Sequence, residues 1–170
     1  MARSANRGNG NAALQAALRL LAHRAYSERK LTEKLRDKGF GEEAVREAIA
    51  ACRQKKFLND HEFARNFVEQ RLETRPRAAH VLIGELLQRG ISLRLAKEVV
   101  EESVSKETET ESVKTMALKK WKQYAHLGAD VCFRRVSSYL ARRGYSWNLI
   151  REAINEAQTA FPVSKQEQIE

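Results

Sequence analysis

Residues 31–40 read LTEKLRDKGF, residues 82–91 read LIGELLQRGI, and residues 136–145 read VSSYLARRGY. In each segment a basic residue (Lys38, Arg89, Arg143) precedes a glycine (Gly39, Gly90, Gly144), and a large apolar residue (Phe40, Ile91, Tyr145) follows it. A leucine stands four residues before every glycine (Leu35, Leu86, Leu140), and an aliphatic residue stands eight before (Leu31, Leu82, Val136). Another aliphatic residue lies ten after (Ile49, Val100, Ile154). Side chains four apart share one helical face, and a glycine just past the last of them suits the left-handed position that closes a helix. The apolar residue after the glycine then folds back on the helix it has left. Three registered copies, spaced by about fifty residues, identify a repeated helical unit.

Each copy extends in both directions. Ser92 and Ser146 are suited to cap a following helix in the second and third copies. Helical spacing predicts a preceding helix over residues 12–26 (Leu14, Leu18 and Leu21 on one stripe) and another over residues 60–73 (Phe63, Phe67, Val68). A third is expected over residues 109–124, with Val113, Met116, Ala117 and Trp121 inward. The expectation is an all-α fold of three tandem three-helix repeats, residues 12–57, 58–105 and 106–160, forming an elongated, curved array. Residues 1–11 and 161–170 are expected to be flexible ends. Eight Gly, two Pro, 42% hydrophobic residues and a mean hydropathy of −0.59 agree with short connections between amphipathic helices.

Several function classes are excluded or disfavoured. The first eleven residues carry Arg3 and Arg7 without an apolar run, so no signal peptide is read there. No stretch approaches the roughly 18 apolar residues of a membrane span. Cys52 and Cys132, each among apolar neighbours, read as small core residues in a reduced, cytoplasmic setting. There is no Gly-rich phosphate loop, paired-cysteine motif, HExxH or nucleophile elbow, and the four histidines are scattered. The run Asn59, Asp60, His61, Glu62 diverges around a helix and does not converge on an ion; Asn59 with Glu62 matches a capping box in residue type. No catalytic residue, metal or cofactor is expected, and the chain is not read as an enzyme.

Charge carries more information. The 31 basic residues exceed the 22 acidic ones, which predicts attraction to polyanions. The excess is uneven: +7 in residues 1–57, −1 in residues 58–105 and +3 in residues 106–170. Between Ser112 and Arg151 the only acid is Asp130. That window holds Lys119, Lys120, Lys122, Arg134, Arg135, Arg142 and Arg143. If Cys132, Val136 and Leu140 are buried, Arg135 and Arg142 share an outward face suited to a phosphate backbone. Arg143 has an alternative role, capping the carbonyls before Gly144. Aromatic residues of the window, Trp121, Tyr124, Tyr139 and Trp147, read as core before they read as base-stacking platforms. A second group, Arg71, Arg75 and Arg77, surrounds Pro76. The closing helices of the second and third repeats are too apolar and acidic to read base edges, so contact with DNA is expected to follow its backbone non-specifically, single- or double-stranded.

Residues 27–39 (SERKLTEKLRDKG), 57–68 (FLNDHEFARNFV), 84–92 (GELLQRGIS) and 139–146 (YLARRGYS) resemble the characteristic segments of the RecX family. The likeness covers about residues 12–157. It implies a crescent of three-helix repeats that binds RecA and lodges in the groove of the RecA–single-stranded DNA filament. There the family blocks filament extension and inhibits strand exchange, ATP hydrolysis and co-protease activity, without a cofactor. One departure lies in the middle segment, where residues 75–79 (RPRAA) replace the Gly-rich, basic or aromatic turn common in the family; proline stiffens that turn. The competing reading is a helical-repeat nucleic-acid-binding or adaptor protein unconnected with RecA. A monomer is expected, since no heptad seam extends beyond one helix.

Overall fold

The computed structural model describes residues 2–163, with side chains from Gly10 onward. Nine α-helices follow one another with no strand among the described residues. The first triplet is α1 (Ala2–His23), α2 (Glu28–Asp37) and α3 (Glu42–Gln54); the second is α4 (Asp60–Thr74), α5 (Ala79–Gln88) and α6 (Leu93–Ser103). The third is α7 (Lys106–Tyr124), α8 (Ala129–Ala141) and α9 (Trp147–Ala160), with a 3-10 turn at Ala125–Leu127 before α8. No helix among the described residues is long and apolar enough to cross a membrane. α1 is helical backbone from Ala2, ten residues before the expected start, and residues 164–170 of the expected tail lie outside the described residues.

The glycine turns take the form that the sequence predicts. Gly39, Gly90 and Gly144 have φ of 85°, 89° and 89°. In the first two, the glycine amide donates to the carbonyl three residues back (Arg36, 2.8 Å; Leu87, 2.9 Å). The next amide reaches five back, Phe40 to Leu35 at 3.3 Å and Ile91 to Leu86 at 3.1 Å. In the third, Gly144 donates to Ala141 at 2.9 Å. Leu31, Leu35, Leu82, Leu86, Val136, Leu140, Ile49, Val100 and Ile154 are all buried. The hydroxyls of Ser92 and Ser146 accept from the amides of Leu95 and Leu149, so both cap as expected.

The chain divides into two compact units, Met1–Glu69 with Ile83–Val99 and Gln70–Leu82 with Val100–Glu170. In the first, α1 packs mainly on α3. The expected leucine stripe of α1 is not the buried line. Ala13 and Ala17 are fully buried, while Leu14, Leu18 and Leu21 are half-buried against the same core. The reason is close approach: small residues occupy the line of contact, facing Ala44 and Ala48 of the same core, and leucines flank it. In the second unit α7 packs mainly on α9, around Val113, Ala117, Trp121, Val136, Leu140 and Ile154. The Trp121 indole N–H donates to the Phe161 carbonyl at 2.9 Å, which ties down the first residue assigned to the tail. Cys52 and Cys132 are buried free thiols, and burial pushes both thiols up from their ordinary value.

Sequence reading missed how the middle helices of the first two triplets are started. Ser27, fully buried, caps α2 by accepting from Lys30 N at 3.3 Å, and its hydroxyl donates to the carbonyl of Arg89, just before Gly90. One repeat later the Ala78 amide, just ahead of α5, donates to the carbonyl of Arg143, just before Gly144, at 3.0 Å. A second contact recurs with it. Asp60 Oδ1 accepts from the first amide of α2, Glu28 N, at 2.7 Å, and Glu109 Oε1 accepts from the first amide of α5, Ala79 N, at 2.9 Å. Each carboxylate comes from the opening helix of the next triplet and neutralises an amide that its own helix cannot satisfy. Asn59 caps α4 as expected, its Oδ1 accepting from His61 N and Glu62 N at 3.1 and 3.2 Å.

The glycines therefore have unequal duties. A Cβ on Gly90 would sit 3.0 Å from both Arg29 Cβ and Ser27 Oγ, and one on Gly144 would collide with the Val81 side chain. Nothing lies within 4 Å of the corresponding point on Gly39. Alanine at Gly39 should cost only the left-handed backbone penalty, about 1 kcal/mol. Alanine at Gly90 or Gly144 should cost a further 1–3 kcal/mol or so from overpacking. Urea denaturation of the three variants checks the order; equal losses would show that the turns do not bear on the preceding helix.

Asp60 gives a pH-dependent expectation. Burial raises its carboxyl above the ordinary value, the Glu28 amide hydrogen bond opposes this, the Glu28 charge adds to it and Arg53 reduces it. A carboxyl with a raised folded pKa binds its proton more tightly when folded, so its ionisation subtracts stability as pH rises through that value. Asp60→Asn keeps an acceptor for Glu28 N without the charge. At neutral pH it should match or exceed the parent, and the difference should shrink as pH falls toward about 4. Asp60→Ala should lose about 1 kcal/mol at either pH.

Candidate functional site

The basic window of the third repeat is arranged by two helices. On α7 the buried stripe of Val113, Ala117 and Trp121 leaves Lys120 and Tyr124, one turn apart, at its margin. On α8 the buried stripe of Cys132, Val136 and Leu140 leaves Arg135 and Tyr139 one turn apart, and Arg143 follows four residues later in the closing turn. The two rows interdigitate. The Arg143 guanidinium lies 3.7 Å over the Tyr139 ring, and Lys120 Nζ is 4.9 Å from that ring and 5.8 Å from Tyr124. Arg135 lies 5.3 Å from Tyr124. Cation and ring alternate along a ladder: Arg143, Tyr139, Lys120, Tyr124, Arg135.

A ring face holds a cation without cancelling its charge, each contact contributing about 0.5–1 kcal/mol at an exposed site. That distinguishes this surface from the first repeat. There Arg29 and Lys30 pair with Glu33, Lys34 with Asp37, Arg36 with Glu42, Arg46 with Glu43 and Arg53 with Glu28. None of Lys119, Lys120, Lys122, Arg134, Arg135, Arg142 and Arg143 forms an ion pair among the described residues; the pairing in this repeat is Lys114 with Glu156 at 2.7 Å. Arg134, Arg135, Arg142 and Lys119 are exposed, and Lys122 lies 5.9 Å from the Phe161 ring.

Not every candidate is equally placed to meet a ligand. Arg143 has a structural share: its Nη1 donates to the Tyr139 carbonyl at 3.3 Å, and its Nε is buried. Its alternative role as a carbonyl cap is thus realised one turn before Gly144. Of the arginines around Pro76, Arg75 is exposed while Arg71 and Arg77 are half-buried. Arg77 faces a cleft of about 270 Å³ lined also by Glu109, Ser112 and Tyr145. Burial pushes the Tyr145 phenol up to about 12, with a hydrogen bond to Ser112 acting against it. The aromatic residues divide. Trp121 and Tyr145 are core, Tyr124 and Tyr139 hold cations, and Trp147 is 52% exposed and packs edge-on to Phe133 at 6.1 Å. The ladder was missed from sequence, although its signal, Lys120 with Tyr124 and Arg135 with Tyr139 and Arg143 at four-residue spacing, was there.

Comparison with known proteins agrees with this organisation. The family descriptions of the first, second and third three-helix domains of RecX match residues 13–52, 59–100 and 107–154. A regulatory protein RecX of Syntrophotalea carbinolica is 30% identical over 145 residues, covering 85% of this chain and 95% of the relative. One of Caldanaerobacter subterraneus subsp. tengcongensis is 29% identical over 139 residues, covering 82% and 67%. The crystal structure of RecX from Lactobacillus salivarius superposes with a TM-score of 0.77 at 21% identity, over 90% of this chain and 99% of that one, and so shares the fold. Three glycine-closed helix triplets, each matched by its own domain of one family in the same order, place this chain in the RecX family of regulatory proteins.

Proposed function

We propose that this protein is a non-catalytic regulator of RecA. It binds RecA and the RecA–single-stranded DNA filament, and so restrains filament extension, ATP hydrolysis, strand exchange and co-protease activity. It acts in the cytoplasm as a monomer. Family membership supports the partner. The observation that supports the manner of contact is the cation–tyrosine ladder of α7 and α8, whose charge is not cancelled by carboxylates. A filament groove presents phosphate oxygens beside protein, and cations held in fixed places by ring faces meet phosphates with little further ordering of their side chains. Binding then releases counterions and weakens with salt.

The test is RecA ATPase activity on single-stranded DNA, with and without this protein. Inhibition is expected, and neither a helical adaptor unconnected with RecA nor a scaffold would produce it. The double variant Arg135→Glu, Arg142→Glu should inhibit less than the parent. The salt dependence of inhibition should flatten by about 0.7–0.9 in log–log slope for each phosphate that is no longer neutralised. The same charge change at Arg46, already paired with Glu43, should leave inhibition nearly unchanged. Undiminished inhibition by the double variant at low salt would remove the Arg135 and Arg142 face from the interface.

A further inference from the structure

The first compact unit holds a basic, aromatic cleft that the ladder does not involve. A cleft of about 430 Å³ is lined by Arg24, Lys30, Lys34 and Arg89 together with Tyr26 and Phe63, and no acidic residue lines it. The Arg24 guanidinium lies 4.5 Å over the Tyr26 ring. Lys30 and Lys34 pair with Glu33 and Asp37 on their own helix, the kind of half-exposed pair that yields readily to a phosphate. Tyr26 and Phe63 also line a second cleft of about 220 Å³, whose other lining includes Lys56, Phe57, Asn59, Asn66 and one carboxylate, Glu62. The two clefts thus adjoin along shared aromatic residues.

Phe57 is the second observation. The end of α3 closes as the glycine turns do, with Lys56 N donating to Arg53 at 3.0 Å and Phe57 N to Cys52 at 2.9 Å. At the equivalent place in the three repeat turns, Phe40, Ile91 and Tyr145 fold back on their helices, half-buried or buried. Phe57 instead remains 55% exposed. The residue before it, Lys56, has a φ of 57° where a glycine is usual. A left-handed backbone at a side-chain-bearing residue and an outward phenyl ring are poor choices for folding alone.

We propose that these adjoining clefts form a track for single-stranded nucleic acid. Arg24, Lys30, Lys34 and Lys56 take the backbone phosphates, and bases stack on Tyr26, Phe63 and Phe57. Alternating cations and rings bind by charge and stacking, as platforms for single strands do. The track is separate from the third-repeat ladder and requires no RecA.

The test uses the full chain alone, with fluorescein-labelled oligothymidylate and anisotropy as the readout. Phe57→Ala, at an exposed ring, should weaken binding about tenfold. Replacing Arg24 and Lys34 by Ala should reduce the salt slope by about 0.7 for each. Photocrosslinking with 5-bromodeoxyuridine oligomers should label peptides containing Tyr26, Phe57 or Phe63. The weakening by Phe57→Ala should persist in the background of Arg135→Glu, Arg142→Glu. Parent-like binding by a folded Phe57→Ala variant, or crosslinks confined to residues 119–147, overturns the track. Thymidine monophosphate competing as well as the oligomer also overturns it, showing a mononucleotide site in its place. All these readouts lack RecA, so they fail or succeed independently of the regulatory reading.

Discussion

The first amides of α2 and α5 have no partner within their own helices, and both are satisfied by later parts of the chain. Asp60 and Glu109 reach back to Glu28 N and Ala79 N, while the carbonyls of Arg89 and Arg143 take the Ser27 hydroxyl and the Ala78 amide. A helix N-terminus carries partial positive charge and a closing turn exposes carbonyls, so bringing the two together satisfies both. The contact is possible only if the turn comes close, and closeness requires that Gly90 and Gly144 carry no Cβ. In both places the carboxylate comes from the next triplet's opening helix, which the contact holds beside α2 and α5.

What was legible in the sequence was whatever repeats with a side-chain signature. The glycine turns, their flanking leucines and the serine caps at 92 and 146 could be read because spacing alone encodes them. Ser27 was not singled out, because a serine before a helix looks the same whether it caps in solvent or lies buried against a distant carbonyl. The α1 stripe misled for a related reason. Periodicity marks which residues are apolar, but the distance between helices decides whether Ala13 and Ala17 or Leu14 and Leu18 occupy the line of contact. The basic window at residues 112–151 was visible as composition. Its organisation into a ladder depends on two helices meeting, and that is tertiary information.

The two ends of the chain use cations differently. In the first repeat Arg29, Lys30, Lys34, Arg36, Arg46 and Arg53 lie beside carboxylates, so the charge there is locally paired. In the third repeat Lys120, Arg135 and Arg143 lie over tyrosines, which hold them without a carboxylate. Net charge counts cations, whereas partner identity says which of them a phosphate would meet beside a ring and which beside a carboxylate. The first-unit cleft is the exception within its own repeat, since no carboxylate lines it.

The back-reaching contacts also have a consequence for synthesis. Asp60 emerges from the ribosome 32 residues after Glu28, and Arg89 follows Ser27 by 62. The opening of α2 thus waits, with unsatisfied amides, for a partner still to be translated. The same delay is imposed on α5 by Glu109, 30 residues after Ala79. In a nascent chain of this kind each triplet is completed only after part of the next has been made, so a stall or truncation exposes the unfinished face of the preceding triplet.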